Sequence, residues 1–340
     1  MNTTLDFLKG RLSVLRQPET SPEKAQSLIE EIHQVFEQIT QVSGYGAGMN
    51  FQLMAAVPTA NGVALGLSHA AQCLLDFRRT TVFFQGILAA IEQRLQAHPD
   101  QTVQIFYAGC GPFAPWVTLI APLFTPDQVQ ISLLEINHQS LDIAHQLIQT
   151  LGLEAYVNAY HQADAITFVV PEASKYHVLI SETLDAVLHR ESYVAILWNL
   201  LPQFPKEIVL LPENVQLQLN LLCLTEGKGP NDPLDEEDAG IIFDTRSALS
   251  ALEAGQALPE SFPPTRVKLD PELAYRGIQI NTKVMVFQDF QLFRGESSLT
   301  LPANVGLQHT PEPQELVFRY LTYPQMELNM QVQAITEAEQ

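Results

Sequence analysis

A chain of 340 residues, 46% apolar and 16% charged, can bury a large core and lacks the composition of a disordered chain. Its 38 acidic and 18 basic residues leave a formal net charge of −20. That argues against nucleic acid or an anionic membrane as a partner held by bulk electrostatics, while it suits a cationic partner and equally serves solubility. The three scattered cysteines, Cys73, Cys110 and Cys223, fit neither a disulfide framework nor a zinc pattern, and the nine histidines lack ligand spacing, so no metal site is expected.

The N-terminus, Met1-Asn-Thr-Thr-Leu-Asp6, lacks the charged and apolar regions of a signal peptide. No apolar run reaches the roughly 20 residues that cross a bilayer. A cytoplasmic protein without membrane partners is expected.

Residues 1–100 read as an N-terminal helical segment. Ser21 is a helix N-cap with Pro22 at the first position, and Leu28, Ile29, Ile32 and Phe36 form an apolar stripe. Gly44–Gly48 and Pro58–Gly62 are breaks, suited to a lid. A second helix is expected from about Ser68 to Gln96.

Residues 101–213 alternate. Val103–Tyr107 is a strand, followed by a glycine turn and a helix from about Pro115. Val129–Leu134 is the next strand and Gln139–Leu151 the next helix. Ala155–Val157 and Val178–Ile180 are further strands, with a helix from about Glu191 to Leu201 and a closing strand at Ile208–Leu211. Strand–helix alternation implies an α/β, Rossmann-like doubly wound parallel sheet.

Residues 214–340 read as a β-rich C-terminal domain, a partial barrel. Val215–Leu221 alternates as a half-buried antiparallel strand does. Residues 226–265, with the acidic Asp235–Asp238, read as a long solvated loop. Ile278–Ile280, Lys283–Phe287, Leu316–Phe318 and Met326–Met330 resume β character, and the tail from Ile335 is expected to fray. Trp116 and Trp198, in apolar helical stretches, read as core.

The chemistry concentrates in the middle third. Strand Val103–Tyr107 runs into Ala108-Gly109-Cys110-Gly111-Pro112-Phe113. Two glycines let the backbone turn tightly and approach a ligand. Glu135, 24 residues after Gly111 at the tip of the next strand, stands where doubly wound folds hold ribose hydroxyls. Asp164, followed by Ala165, can accept from an adenine amine. Pro112 and Phe113 replace the third glycine that a diphosphate needs, so S-adenosyl-L-methionine fits better than a dinucleotide. Its carboxylate wants a cation, and Arg79 is the candidate. Finally, Glu182 and Glu191 sit on one loop after a strand, a poor structural device but a good clamp for a planar cation.

Together these residues resemble the protein arginine methyltransferases, as a divergent, bacterial-type member of the class I S-adenosylmethionine-dependent methyltransferases. Asp76-Phe-Arg-Arg79-Thr80 resembles the family's Asp-x-x-Arg-Thr motif, which places Arg79 on the cofactor carboxylate. Ala108-Gly-Cys-Gly-Pro-Phe113 is similar to the glycine loop of its symmetric-dimethylating branch. Ser181-Glu182 and Glu191-Ser192 reproduce the family's double-glutamate loop with its eight-residue spacing, and Leu211-Pro-Glu-Asn214 matches its exit from the sheet. The family's Thr-His-Trp loop is not recognisable; His309-Thr310 lies in its general region in reversed order.

The resemblance implies an N-methyltransferase acting on a guanidinium or amine nitrogen of a protein or small molecule, with room for a homodimer. The implied site is Glu182 and Glu191 as catalytic residues, with Arg79, Ala108, Gly109, Gly111, Glu135, Asp164 and Ala165 binding cofactor. An O- or C-methyltransferase of a metabolite and a non-catalytic scaffold of the same fold are the alternatives.

Overall fold

The computed structural model describes residues 3–42, 56–59, 62–224, 233–250, 252, 255–308 and 313–335. Helices Thr3–Leu15 and Pro22–Thr40 lead the chain. Ser21 caps the second as expected, its hydroxyl accepting from the Lys24 N–H, and Leu28, Ile29, Ile32 and Phe36 are its buried face. The breaks expected at Gly44–Gly48 lie outside the described residues. The second break is a small antiparallel hairpin of β1 (Val57–Thr59) and β2 (Gly62–Ala64).

The single helix expected over 68–96 is interrupted. A short helix, Leu67–Gln72, passes through a 3-10 turn at Cys73–Leu75, and Asp76 then caps a separate helix, Phe77–Ala97. Asp76 explains the break, because its side chain accepts from the Arg79 N–H and so competes with helical continuation.

The middle third forms parallel strands β3 (Val103–Ala108), β4 (Val129–Glu135), β5 (Val157–Gln162), β6 (Val178–Ser181) and β7 (Val209–Leu211). They pair in the order β5-β4-β3-β6-β7, and helices flank the sheet, so the doubly wound expectation holds. β3, β4 and β6 are buried along almost their whole length, as two covered faces require. Phe106, fully buried on β3, packs against Phe168, Tyr176 and Phe204. Three local expectations need correction. The strand placed at Ala155–Val157 begins at Val157, after a 3-10 turn at Glu154–Tyr156. The helix after the glycine turn is only Pro115–Thr118, and the helix placed at Glu191 starts at Tyr193.

The chain leaves the sheet at Leu211 and enters β8 (Asn214–Leu224), whose residues alternate buried and half-buried. The stretch read as a solvated loop instead contains β9 (Asp235–Asp244), antiparallel to β8, and a short helix, Thr245–Leu249. Its acidic start is a sheet edge, with Glu236 held by both outer nitrogens of Arg294 at 2.5 and 3.0 Å. Charge on an edge strand discourages pairing with other chains. Beyond it come β10 (Thr265–Lys268), β11 (Ala274–Phe287), β12 (Phe290–Leu292), β13 (Ala303–Gly306), β14 (Gln314–Leu321) and β15 (Glu327–Ala334). One antiparallel sheet runs β12-β11-β8-β9, with β13 also on β11, and another runs β10-β14-β15. Ile335 still donates to the Pro313 carbonyl at 2.9 Å; the rest of the tail lies outside the described residues.

Truncating Phe106 to Ala leaves a cavity at the centre of the parallel sheet. It should lower unfolding free energy by roughly 3–5 kcal/mol in urea denaturation; a loss under about 1 kcal/mol would contradict this packing.

Candidate active site

Strand register assembles the site. Ala108 at the end of β3 pairs across with Leu134 of β4 and with Ser181 of β6. The next residues, Gly109, Glu135 and Glu182, therefore emerge together at the carboxyl ends of adjacent strands. One strand further out, Glu135 pairs with Gln162, so Ala163-Asp164-Ala165 leaves β5 at the same level. This edge is where strand order reverses around β3, the place at which open α/β sheets bind ligands.

A cleft enclosing about 1070 Å³, its open mouth included, lies there. Arg79, Gly109, Gly111, Glu135, Asp164, Ala165, Glu182 and Glu191 all line it. Ala108 does not; it is fully buried as the last residue of β3 behind the turn.

Gly109 and Gly111 have φ of +76° and +61°, a region that favours glycine. A Cβ at Gly109 would run into the Thr183 methyl. At these two positions the turn presents bare backbone to the cleft. Glu135 is tied to it, accepting from the Gly111 N–H and the Asn137 N–H at 2.9 Å each. Burial raises its carboxyl above the usual range, and those backbone donors oppose the rise. Asp164 accepts from the Ile166 N–H at 2.9 Å.

The two glutamates have unlike surroundings. Glu182 accepts from Arg79 Nε at 2.5 Å and from Trp116 Nε1 at 2.8 Å, and its carbonyl accepts from Arg79 Nη2 at 3.4 Å. The Arg79 and Glu182 side chains are only 8% and 9% exposed. Burial alone disfavours the Arg79 charge, but the Glu182 carboxylate outweighs it and holds the guanidinium protonated. Burial also lifts Glu182 above the usual carboxylate range, against the pull of Arg79 and Trp116. Arg79, expected to face a cofactor carboxylate, is thus engaged with Glu182 in this structure.

Glu191 is 8% exposed. Among the described residues no donor reaches its carboxylate. Burial pushes it up to about 8, Asp185 and Glu182 add to the rise, and Arg79 opposes it. Among the described residues one buried guanidinium thus serves two buried carboxyl groups, and the second binds its proton more tightly than an ordinary glutamate does.

Some participants were not legible beforehand. Trp116, read as core, is buried, stacked on Phe83, and also braces Glu182 from 66 positions away. Tyr107 and Cys73 line the cleft. Thr59 of the hairpin meets Ser192 oxygen to oxygen at 3.2 Å, which brings β1 against the glutamate loop. The turn packed against residues 186–188 is Ser298–Thr300, with no tryptophan. Its Ser298 donates through N–H and hydroxyl to Asp76, at 2.7 and 2.6 Å. His309 and Thr310 lie outside the described residues.

No protein-family model matches the sequence, and no curated protein sequence matches it. Solved structures do match. The PRMT1 enzyme–prozyme heterotetrameric complex with AdoHcy of Trypanosoma brucei aligns at TM-score 0.50 and 11% identity, over 78% of this chain and 93% of that one. Protein arginine methyltransferase 10 of Arabidopsis thaliana aligns at TM-score 0.49 and 12% identity, over 79% and 98%. The first likeness shows the fold: a Rossmann-like sheet of the protein arginine methyltransferase type with an antiparallel β-rich region after it.

Glu191 makes a test of this electrostatic arrangement. Its folded pKa of about 8 lies above that of an ordinary glutamate, so the folded state binds the proton more tightly. Stability should then fall as pH rises from the lower value through the higher, by up to roughly 5 kcal/mol from this group. Glu191→Gln should remove that part of the slope in urea titrations at about pH 5 and about pH 9. Equal slopes in both proteins would contradict it.

Proposed function

We propose that this chain is an S-adenosyl-L-methionine-dependent N-methyltransferase acting on a guanidinium or amine nitrogen of a protein or small molecule. The observation that carries the reading is the pair Glu182 and Glu191 in one cleft, beside the glycine turn, with one buried guanidinium for both among the described residues. A carboxylate pair with one counter-charge is costly to bury. A cationic substrate supplies the missing charge; a neutral oxygen or carbon nucleophile does not.

The residues fit the cofactor. Gly109 and Gly111 put bare backbone on the cleft wall, where a ligand can approach closely. Glu135 retains acceptor capacity beyond its two backbone donors, as ribose hydroxyls require. Ile136, Ala163 and Ile166 offer apolar walls to a flat base, with Asp164 at hand for an amine. Arg79 has donors beyond those on Glu182 for a carboxylate. The fold shared with the Trypanosoma brucei complex, which contains AdoHcy, supports the same assignment.

The chemistry such a cofactor supplies is an electrophilic methyl group on a sulfonium. The chain's own residues position the nucleophile. Trp116 and Arg79 fix one oxygen each of Glu182, so its remaining lone pairs are oriented before substrate arrives. Glu191, protonated until a cation enters, ionises against it and completes the clamp. Two carboxylates draw the guanidinium charge toward the nitrogens they hold, leaving the attacking nitrogen richer in electrons. Glu191 is also placed to take the proton released as the new bond forms.

Glu182→Gln and Glu191→Gln should each lower methyl transfer from labelled S-adenosylmethionine by about 100-fold or more. The acceptors to try are an arginine-rich peptide and free arginine. S-adenosylhomocysteine affinity in calorimetry should change by less than about tenfold for Glu191→Gln. Full activity in both variants would overturn the reading.

A further inference from the structure

Eight residues join the two glutamates, and their backbone is unusual. Val187 and Leu188 are consecutive non-glycine residues in the left-handed region, with φ of +63° and +53°. A β-branched residue there is a genuine outlier, strained and retained only where its surroundings impose it. Part of the restraint is local: Asp185 accepts from the N–H of His189 at 2.8 Å and of Arg190 at 3.1 Å. The rest comes from far along the chain. Thr282, in the middle of β11, accepts the Val187 N–H on its hydroxyl at 2.8 Å. Tyr320, near the end of β14, donates its hydroxyl to the Leu188 carbonyl at 2.7 Å.

Both anchors are rigid. Thr282 is fully buried, and Tyr320 is 1% exposed, stacked on Phe243 with ring centroids 4.3 Å apart. Each belongs to a different antiparallel sheet. The two bonds bracket one peptide unit, gripping the N–H of one strained residue and the carbonyl of the next. Glu182 needs no such help, since Arg79 and Trp116 hold it directly. Glu191, three residues past Leu188, has no donor among the described residues, so only the backbone that carries it can fix its place.

We propose that Thr282 and Tyr320 are positioning residues: from two sheets of the C-terminal β region they clamp the strained Val187–Leu188 turn and thereby hold Glu191 in the cleft opposite a cationic substrate. The inference rests on reading Glu191 as half of that clamp, but its tests need neither substrate nor cofactor. The β region thus acts on the site through the backbone of the loop, and two sheets other than the parallel one set the geometry of one carboxylate.

The experiment uses the full chain and the variants Tyr320→Phe, Thr282→Val and Thr282→Ser. The first two each delete one hydroxyl at nearly constant shape; the third keeps it. Amide hydrogen exchange should rise about tenfold or more across residues 184–190 in the first two, with the β11 and β14 amides unchanged. Glu191 is titrated by carbon NMR of side-chain-labelled glutamate and assigned with Glu191→Gln. The groups facing it are Arg79, Glu182, Asp185, Arg190 and Cys73, all left intact. Its midpoint, about 8 in the parent, should fall by roughly a unit or more as the loosened loop admits water. Thr282→Ser should restore both readouts. Unchanged exchange and midpoint in both deletions would overturn the proposal. So would exchange that rises equally throughout β14, since that is general packing loss. A loosened loop in an otherwise inert protein would instead count against the methyltransferase reading, because the two failures appear in different measurements.

Discussion

Two buried carboxylates beside one guanidinium make a charge imbalance that the cleft must carry. Arg79 is committed to Glu182 by a short hydrogen bond, with Trp116 completing the grip. Glu191 is left to balance itself by keeping a proton up to about pH 8. Desolvation of this kind opposes folding and survives where function requires it. In the proposed function, an entering cation relieves that cost.

The parallel sheet delivers these groups by register. Because Ala108, Leu134 and Ser181 lie side by side, the glycine turn, Glu135 and Glu182 share one rim without long loops. Short, register-fixed connections place side chains more precisely than mobile segments do. Glu191 is the exception: it comes at the end of a longer excursion, whose Val187 and Leu188 are bonded by residues of β11 and β14. The C-terminal turn at Ser298–Thr300 adds a further tie through Asp76, three residues before Arg79. Both halves of the carboxylate–guanidinium arrangement therefore depend on contacts from the β region.

Much of this was legible in the residues. Strand-length apolar runs flanking glycines, an acidic residue at the next strand tip and a carboxylate pair after another are local signals, and the structure brings them into one cleft. What escaped is what depends on partners distant in sequence. Nothing near Trp116 says that its indole N–H meets Glu182. Tyr320 and Thr282 read as ordinary strand residues until the turn they grip is seen. Asp235–Asp238, polar enough to read as a loop, becomes a strand because β8 offers an edge and Arg294 a counter-charge. The break at Asp76 was legible in principle: a capping residue three positions before Arg79 competes with the helix by a purely local bond.

The most direct test of the cation clamp is calorimetry of methylguanidinium binding to protein saturated with S-adenosylhomocysteine, at neutral pH in buffers of different ionisation enthalpy. Binding accompanied by release of close to one proton, and loss of that release in Glu191→Gln, is the predicted result. Absence of binding, or binding without proton release in the parent protein, would contradict the account.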